Sequence, residues 1–259
     1  MVALVGRMIE GGPPDRPPLI GVVGAQGSGK TTLARAAAEA FGAAQISIDD
    51  VYLTRGEREA MAREVHPLFL TRGPPGTHDL DLLQSLIDRL SHAAEASETL
   101  IPGFDKRGDD REPRDRWRRH VGRPSAILID AWCLGAEPED QAALAWPINA
   151  LERERDADGG WRREVDRRLA ADYRAFSDRF DAILFLKAPA FDVVLGWRCQ
   201  QEADLLGVAP DRLPPGERER LAGFIQFFER VTRRMLAGGI RADVTVELDR
   251  NRRPGSIPA

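Results

Sequence analysis

Residues Gly24, Ala25, Gln26, Gly27, Ser28, Gly29, Lys30 and Thr31 spell Gly-x4-Gly-Lys-Thr, the pattern of a loop that grips phosphate. Its surroundings make it a constraint on the whole chain. An apolar run of strand length at 19–23 leads into it and an alanine-rich helical run at 31–41 follows, which is the setting the pattern needs. Each residue type has a task there. The glycines let successive backbone N–H groups turn inward around an anion, and the helix aims its positive end at the same point. The Lys30 ammonium then reaches the outer phosphate oxygens of a nucleotide, and the Thr31 hydroxyl suits Mg²⁺. Thr32 extends the set, and Asn251 is a further candidate contact for the nucleotide. A dinucleotide-binding loop is excluded, because a glycine pattern begun at Gly27 puts Thr32 where the last glycine belongs. A guanine-specific GTPase is disfavoured, since neither asparagine, Asn149 or Asn251, is followed by lysine.

The remaining pattern is strand and helix in alternation. Apolar runs at 45–48, 126–130, 182–187 and 244–248 have strand length, and helical spacing recurs at 79–90, 161–176, 192–206 and 217–236. That alternation predicts an α/β fold, a parallel sheet with helices on both faces. Proline and glycine clusters at 11–18, 73–76 and 210–216 read as loops, none long enough to link independent domains. We therefore expect one domain over residues 1–259, with a flexible segment over 1–17 and a lid and helical region over about 191–236.

Composition narrows the partners. Lys and Arg total 37 against 41 acidic residues, a net charge of −4, which argues against a polyanion-coating protein. The arginine run between Arg111 and Arg123 is interleaved with Asp109, Asp110, Glu112 and Asp115, so a salt-bridged surface is expected there and not a nucleic-acid face. No apolar run reaches the length of a membrane span. Two distant cysteines, Cys133 and Cys199, fit a reducing compartment, and we expect a cytoplasmic monomer or weak homodimer. Only three basic residues are lysines, Lys30, Lys106 and Lys187, so each calls for a reason.

Two strand ends carry acids. Asp49 and Asp50 follow the second strand, where an α/β sheet places ligands, and a carboxylate there can take the proton of an attacking hydroxyl. The plain alternative is that the pair caps or turns the chain. Asp130 ends the apolar run at 126–130, an arrangement that supports Mg²⁺, with a helix cap as the alternative.

With these residues in view the chain resembles the P-loop small-metabolite kinases of the uridine kinase and phosphoribulokinase superfamily, and within them the plant-type D-glycerate 3-kinases. The resemblance covers 24–32, 47–54 (SIDDVYLT), 72–80 (RGPPGTHDL), 102–111, 129–135 (IDAWCLG), 197–202 (WRCQQE) and 242–249. It implies transfer of the γ-phosphoryl of ATP, with Mg²⁺, to a hydroxyl of a small metabolite, D-glycerate first. Asp49, three residues before Tyr52, becomes the base, and Asp50 a neighbour orienting metal or substrate. Arg198 becomes a lid arginine over the transferred phosphate, and Tyr52, Arg72, Thr77, His78, Phe104, Lys106 and Arg111 become the acceptor side. Of these, Arg72, Lys106 and Arg111 are candidates to hold a carboxylate. Asp130-Ala131-Trp132 replaces the family's Glu-Gly-Trp, and the segment between Lys106 and Arg111 is short for the family. Both differences lie near the acceptor, so a nucleoside, pantothenate or a sugar phosphate stays open beside glycerate. So does an ATP-binding regulatory protein with little turnover.

Overall fold

Strands that are apolar throughout need helices on both faces, and the computed structural model, which describes residues 1–256, has them. The chain runs α1 (Val2–Glu10), β1 (Leu19–Gly24), α2 (Lys30–Phe41), β2 (Ala44–Ser47), α3 (Arg55–Glu64) and α4 (Leu80–Ser91). Short strands β3 (Glu98–Ile101), β4 (Phe104–Asp105), β5 (Asp110–Arg111) and β6 (Arg118–Val121) precede β7 (Ile127–Ala131). Then come α5 (Ala150–Arg155), α6 (Gly160–Arg168), α7 (Arg174–Ser177), β8 (Ala182–Lys187), α8 (Val193–Leu206), α9 (Glu217–Leu236) and β9 (Val244–Glu247).

Five strands form one sheet in the order β2-β7-β1-β8-β9, every pairing parallel. β1 and β7 are buried at every residue. Alternation along β1 splits its side chains between two cores: Leu19 and Val23 join Ile129, Leu83, Ile87 and Phe228 on one face. Ile20 and Val22 join Leu128, Ala34, Ala37 and Val194 on the other. The chain leaves β1 toward β2 on one side and later fills β8 on the other. The strand order therefore reverses beside β1, which opens a ligand crevice at the carboxyl ends of β1 and β7.

Two expectations change. Residues 1–17 do not begin as a flexible segment: Val2–Glu10 is a helix with Leu4 and Val5 buried against α2. Gly6 permits the contact, because a Cβ there would lie 2.5 Å from Phe41 Cζ. The proline and glycine run that follows concealed this helix in the sequence. The single helix expected over 161–176 is also interrupted, by a π-helical turn at Leu169–Tyr173 between α6 and α7. Such turns redirect a side chain, and here the redirected residue is Tyr173.

One buried ion pair ties α5 to α9. Arg230 donates through Nε and Nη2 to both carboxylate oxygens of Glu152, at 2.8 and 2.6 Å, and through Nη1 to Glu139 at 2.6 Å. Glu152 is fully buried. Replacing Glu152 by leucine leaves the guanidinium half paired, and we expect a loss of roughly 3 kcal/mol of stability, read as a lower denaturant midpoint with an unchanged slope.

Candidate active site

The phosphate loop is shaped by its glycines. Gly29, with φ +90°, ends the loop and begins α2. Gly27, with φ +76°, lies so close to α8 that a Cβ would come within 2.7 Å of Trp197 Cβ. Beside the loop a cavity of about 510 Å³ is lined by Gly27, Ser28, Gly29, Thr32 and Arg252 among others. Both side-chain ends of Gln26, the Ser28 hydroxyl and Arg252 Nε are buried without hydrogen-bond partners among the described residues. A polar ligand is what such atoms need, so the loop fits a nucleotide. The contact expected of Asn251 is corrected: Asn251 is exposed on a turn, its amide bonded to Asp249, and its neighbour Arg252 lines the cavity. The Arg252 guanidinium lies 5.5 Å over the Trp197 ring.

At the crevice floor, Thr31 donates its hydroxyl to Asp130 Oδ1 at 2.6 Å. Gln45 Nε2 and the Ser47 hydroxyl hold the same carboxylate at 2.6 and 3.2 Å. Asp130 is fully buried, and burial pushes its pKa up against the pull of Lys30 and these donors. Because the Thr31 proton points at Asp130, the hydroxyl lone pairs are left for a cation. Two hard oxygens from neighbouring strand and helix ends fit Mg²⁺. Lys30 is lowered by burial, opposed first by Asp130 and then by Asp49.

Asp49 lies on a 3-10 turn, Ile48–Val51, capped by Ser47. Tyr52 donates its hydroxyl to Asp49 Oδ1 and Lys106 donates Nζ to Oδ2, both at 2.7 Å. Burial alone would raise this carboxyl, but Lys106, Lys30 and the Tyr52 bond outweigh it and hold the group well below the usual carboxylate range. Its neighbour turns elsewhere. Asp50 Oδ2 accepts from the Ser47 amide at 3.1 Å and from Arg118 at 3.2 Å, closing a capping box. That engagement ties Asp50 Oδ2 to the turn and to Arg118, and burial pushes its pKa up to about 6.

The acceptor side surrounds Tyr52. His78 stacks on its ring at 4.8 Å, Phe104 meets it edge-on at 5.1 Å, and the Arg72 guanidinium lies 5.5 Å over Phe104. Arg72 pairs with Asp109 and donates to the Lys106 carbonyl at 3.1 Å. Two of the expected acceptor residues, Thr77 and Arg111, are also held by the protein itself, though Arg111 Nε is buried without a partner among the described residues. Thr77 is fully buried, its hydroxyl accepting from the Gly73 amide at 2.9 Å and donating to the Pro74 carbonyl at 2.7 Å. Arg111 Nη2 is held by the Tyr52 carbonyl at 2.9 Å and Asp79 at 3.0 Å. From α8, Arg198 leans toward the crevice: burial lowers its pKa, opposed by Glu202 and Asp49, and its Nε is buried without a partner among the described residues.

Three residues the sequence reading missed set this geometry. The Tyr173 hydroxyl accepts from the Gly76 amide at 2.9 Å, so its own proton goes to His78 Nδ1, 2.5 Å away. That network assigns the His78 proton to Nε2, a buried donor with no partner among the described residues. Burial lowers the His78 pKa to about 4, which keeps the ring neutral. Trp132 Nε1 ties down the Gly73 carbonyl at 3.0 Å. Arg58, fully buried, holds the Leu70 and Asp109 carbonyls. One signal was available: the chain has only two tyrosines, and they flank one histidine.

Comparison with known proteins finds relatives in sequence and in fold. An uncharacterized kinase, mug58, of Schizosaccharomyces pombe is 31% identical over 204 residues, 73% of this chain and 72% of that protein. The solved D-glycerate 3-kinase of Cryptococcus neoformans shares the fold at a TM-score of 0.73 and 20% identity, over 100% of this chain and 96% of that one. The solved YGR205w protein does so at a TM-score of 0.69 and 23% identity, over 98% and 93%. No protein-family model matches the chain.

Proposed function

We propose that this chain, which belongs to one family with the kinase mug58, is a P-loop kinase of the uridine kinase and phosphoribulokinase superfamily that transfers the γ-phosphoryl of ATP to a hydroxyl of D-glycerate, giving 3-phosphoglycerate. One observation carries the reading. Thr31 of the phosphate loop and Ser47, the cap of the turn that carries Asp49, both donate to the one carboxylate oxygen Asp130 Oδ1, so a base and a triphosphate grip face one crevice.

The loop amides and Lys30 hold the triphosphate, and Thr31 with Asp130 would hold Mg²⁺, which when bound neutralises charge on the outer phosphates. Asp49 orients the acceptor hydroxyl and takes its proton as the new O–P bond forms. Arg198 closes over the transferring group and excludes water. Lys106 attracts the acceptor carboxylate while Arg72 anchors the hairpin that carries it, and His78 Nε2–H donates to an acceptor oxygen. ADP release measured over D-glycerate, uridine, pantothenate and a sugar phosphate tests the assignment. Turnover is expected with D-glycerate, and a clear preference for another member of that panel would overturn it.

Tyr173 gives a sharper check on the acceptor pocket. Tyr173→Phe frees the His78 tautomer and strands the Gly76 amide. We expect kcat/KM for the acceptor to fall about tenfold, chiefly through KM, with the KM for ATP unchanged. A loss shared equally by both substrates would point to general damage instead.

A further inference from the structure

Of the three cations on the acceptor side, only Lys106 is bonded to the base itself. Arg72 is committed to Asp109 and Arg111 to Asp79 and the Tyr52 carbonyl. Lys106 Nζ sits 2.7 Å from Asp49 Oδ2, while Tyr52 occupies Oδ1. Both carboxylate oxygens therefore already accept charged or polar hydrogen bonds, and the oxygen that must take a proton is covered by an ammonium. The covering group is easily moved. Its side chain is 60% exposed and stands on the turn between β4 and β5, whose backbone is held independently. Arg72 bonds the Lys106 carbonyl, and Arg58 bonds the Asp109 carbonyl at 2.6 Å and its carboxylate at 3.1 Å. The ammonium can swing while the hairpin stays in place.

We infer that Lys106 is a guard on Asp49 that the acceptor's own carboxylate removes. The inference rests on the kinase reading above and deepens it. Without acceptor, Lys106 covers Oδ2 and denies it to water. A hydroxy acid draws the ammonium onto its carboxylate, and the vacated Oδ2 receives the neighbouring hydroxyl. The hydroxyl proton then passes to Asp49 while its oxygen bonds the γ-phosphorus, and the bond to the bridging oxygen of ADP breaks. Two requirements follow for the acceptor: an anion and a hydroxyl within one small molecule. Neutral polyols have only the second. Arg72, set over Phe104, has its own partner and cannot replace Lys106 without giving up the anchor of the hairpin.

The test uses the full chain with Mg·ATP and reads ADP release. Propionate, a carboxylate with no hydroxyl, should raise ATP hydrolysis by wild type several-fold, and glycerol should not. Lys106→Met should show raised hydrolysis without any addition, no response to propionate, and a KM for D-glycerate about 10- to 100-fold higher. Lys106→Arg should restore part of the response. An unchanged KM for ATP shows that the variants are folded. If wild type ignores propionate and Lys106→Met hydrolyses ATP at the wild-type rate, the guard is overturned, even where D-glycerate is phosphorylated. If propionate stimulates wild type but not Lys106→Met while D-glycerate is not phosphorylated, the guard stands and the glycerate assignment falls.

Discussion

Replacing Lys30 by alanine is expected to reduce kcat by at least about 10³-fold. The reason lies in what surrounds it. Lys30 lies in the fields of Asp130 and Asp49, and both carboxylates draw its pKa up against desolvation. Without it the outer phosphates would meet the buried Asp130 carboxylate with no loop ammonium to offset its charge. Coulomb repulsion in a partly desolvated crevice would then oppose both binding and transfer. Arginine should rescue poorly, because its planar fork is broader than an ammonium and the loop glycines leave room for a point charge. Steady-state kcat together with nucleotide affinity by titration checks this. A Lys30→Ala protein that retains kcat within a few-fold of wild type would remove the phosphate loop from the chemistry.

How far the sequence carried can be judged at individual residues. The sheet was readable because its central strands are nearly all apolar, and the runs at 19–23, 126–130 and 182–187 correspond to β1, β7 and β8 within a residue or two. The phosphate loop was readable because its bonds are local: glycines, lysine and threonine act within eight positions. The acceptor side was less so. Thr77 and Arg111 carry the chemistry of a binding site, and nothing in that chemistry announces the partners that hold them, Gly73, Pro74, Asp79 and the Tyr52 carbonyl. Tyr173 lies 95 residues from the histidine whose tautomer it sets, and a π-helical turn brings it there. Helical periodicity holds no trace of that turn. α1 was hidden for another reason. Its apolar residues recur at helical spacing, Leu4, Val5, Met8 and Ile9, but the proline and glycine run that follows masked them.

Exchanging Asp49 for asparagine separates the base from everything else in the crevice. The amide keeps the shape and can still accept the Tyr52 proton, but it cannot take one from a hydroxyl. We expect kcat to fall about 10²- to 10⁴-fold, with nucleotide affinity within about threefold of wild type, since the phosphates are held by Lys30 and the loop. The pH profile should distinguish this carboxylate from other acids. Although burial works to raise its pKa, Lys106, Lys30 and the Tyr52 bond keep it well below the usual carboxylate range. Asp49 is thus ionised throughout the neutral and mildly acidic range, and the wild-type rate should show no acid limb from it. An amide also binds an ammonium more weakly than a carboxylate does. Lys106 is then free for the acceptor before any exchange of partners, and the KM for D-glycerate should fall in Asp49→Asn even as kcat collapses. A rise in that KM alongside the lost kcat would mean that Asp49 holds the acceptor in place and that Lys106 contributes nothing to its capture. Undiminished transfer by Asp49→Asn would move the base to another residue.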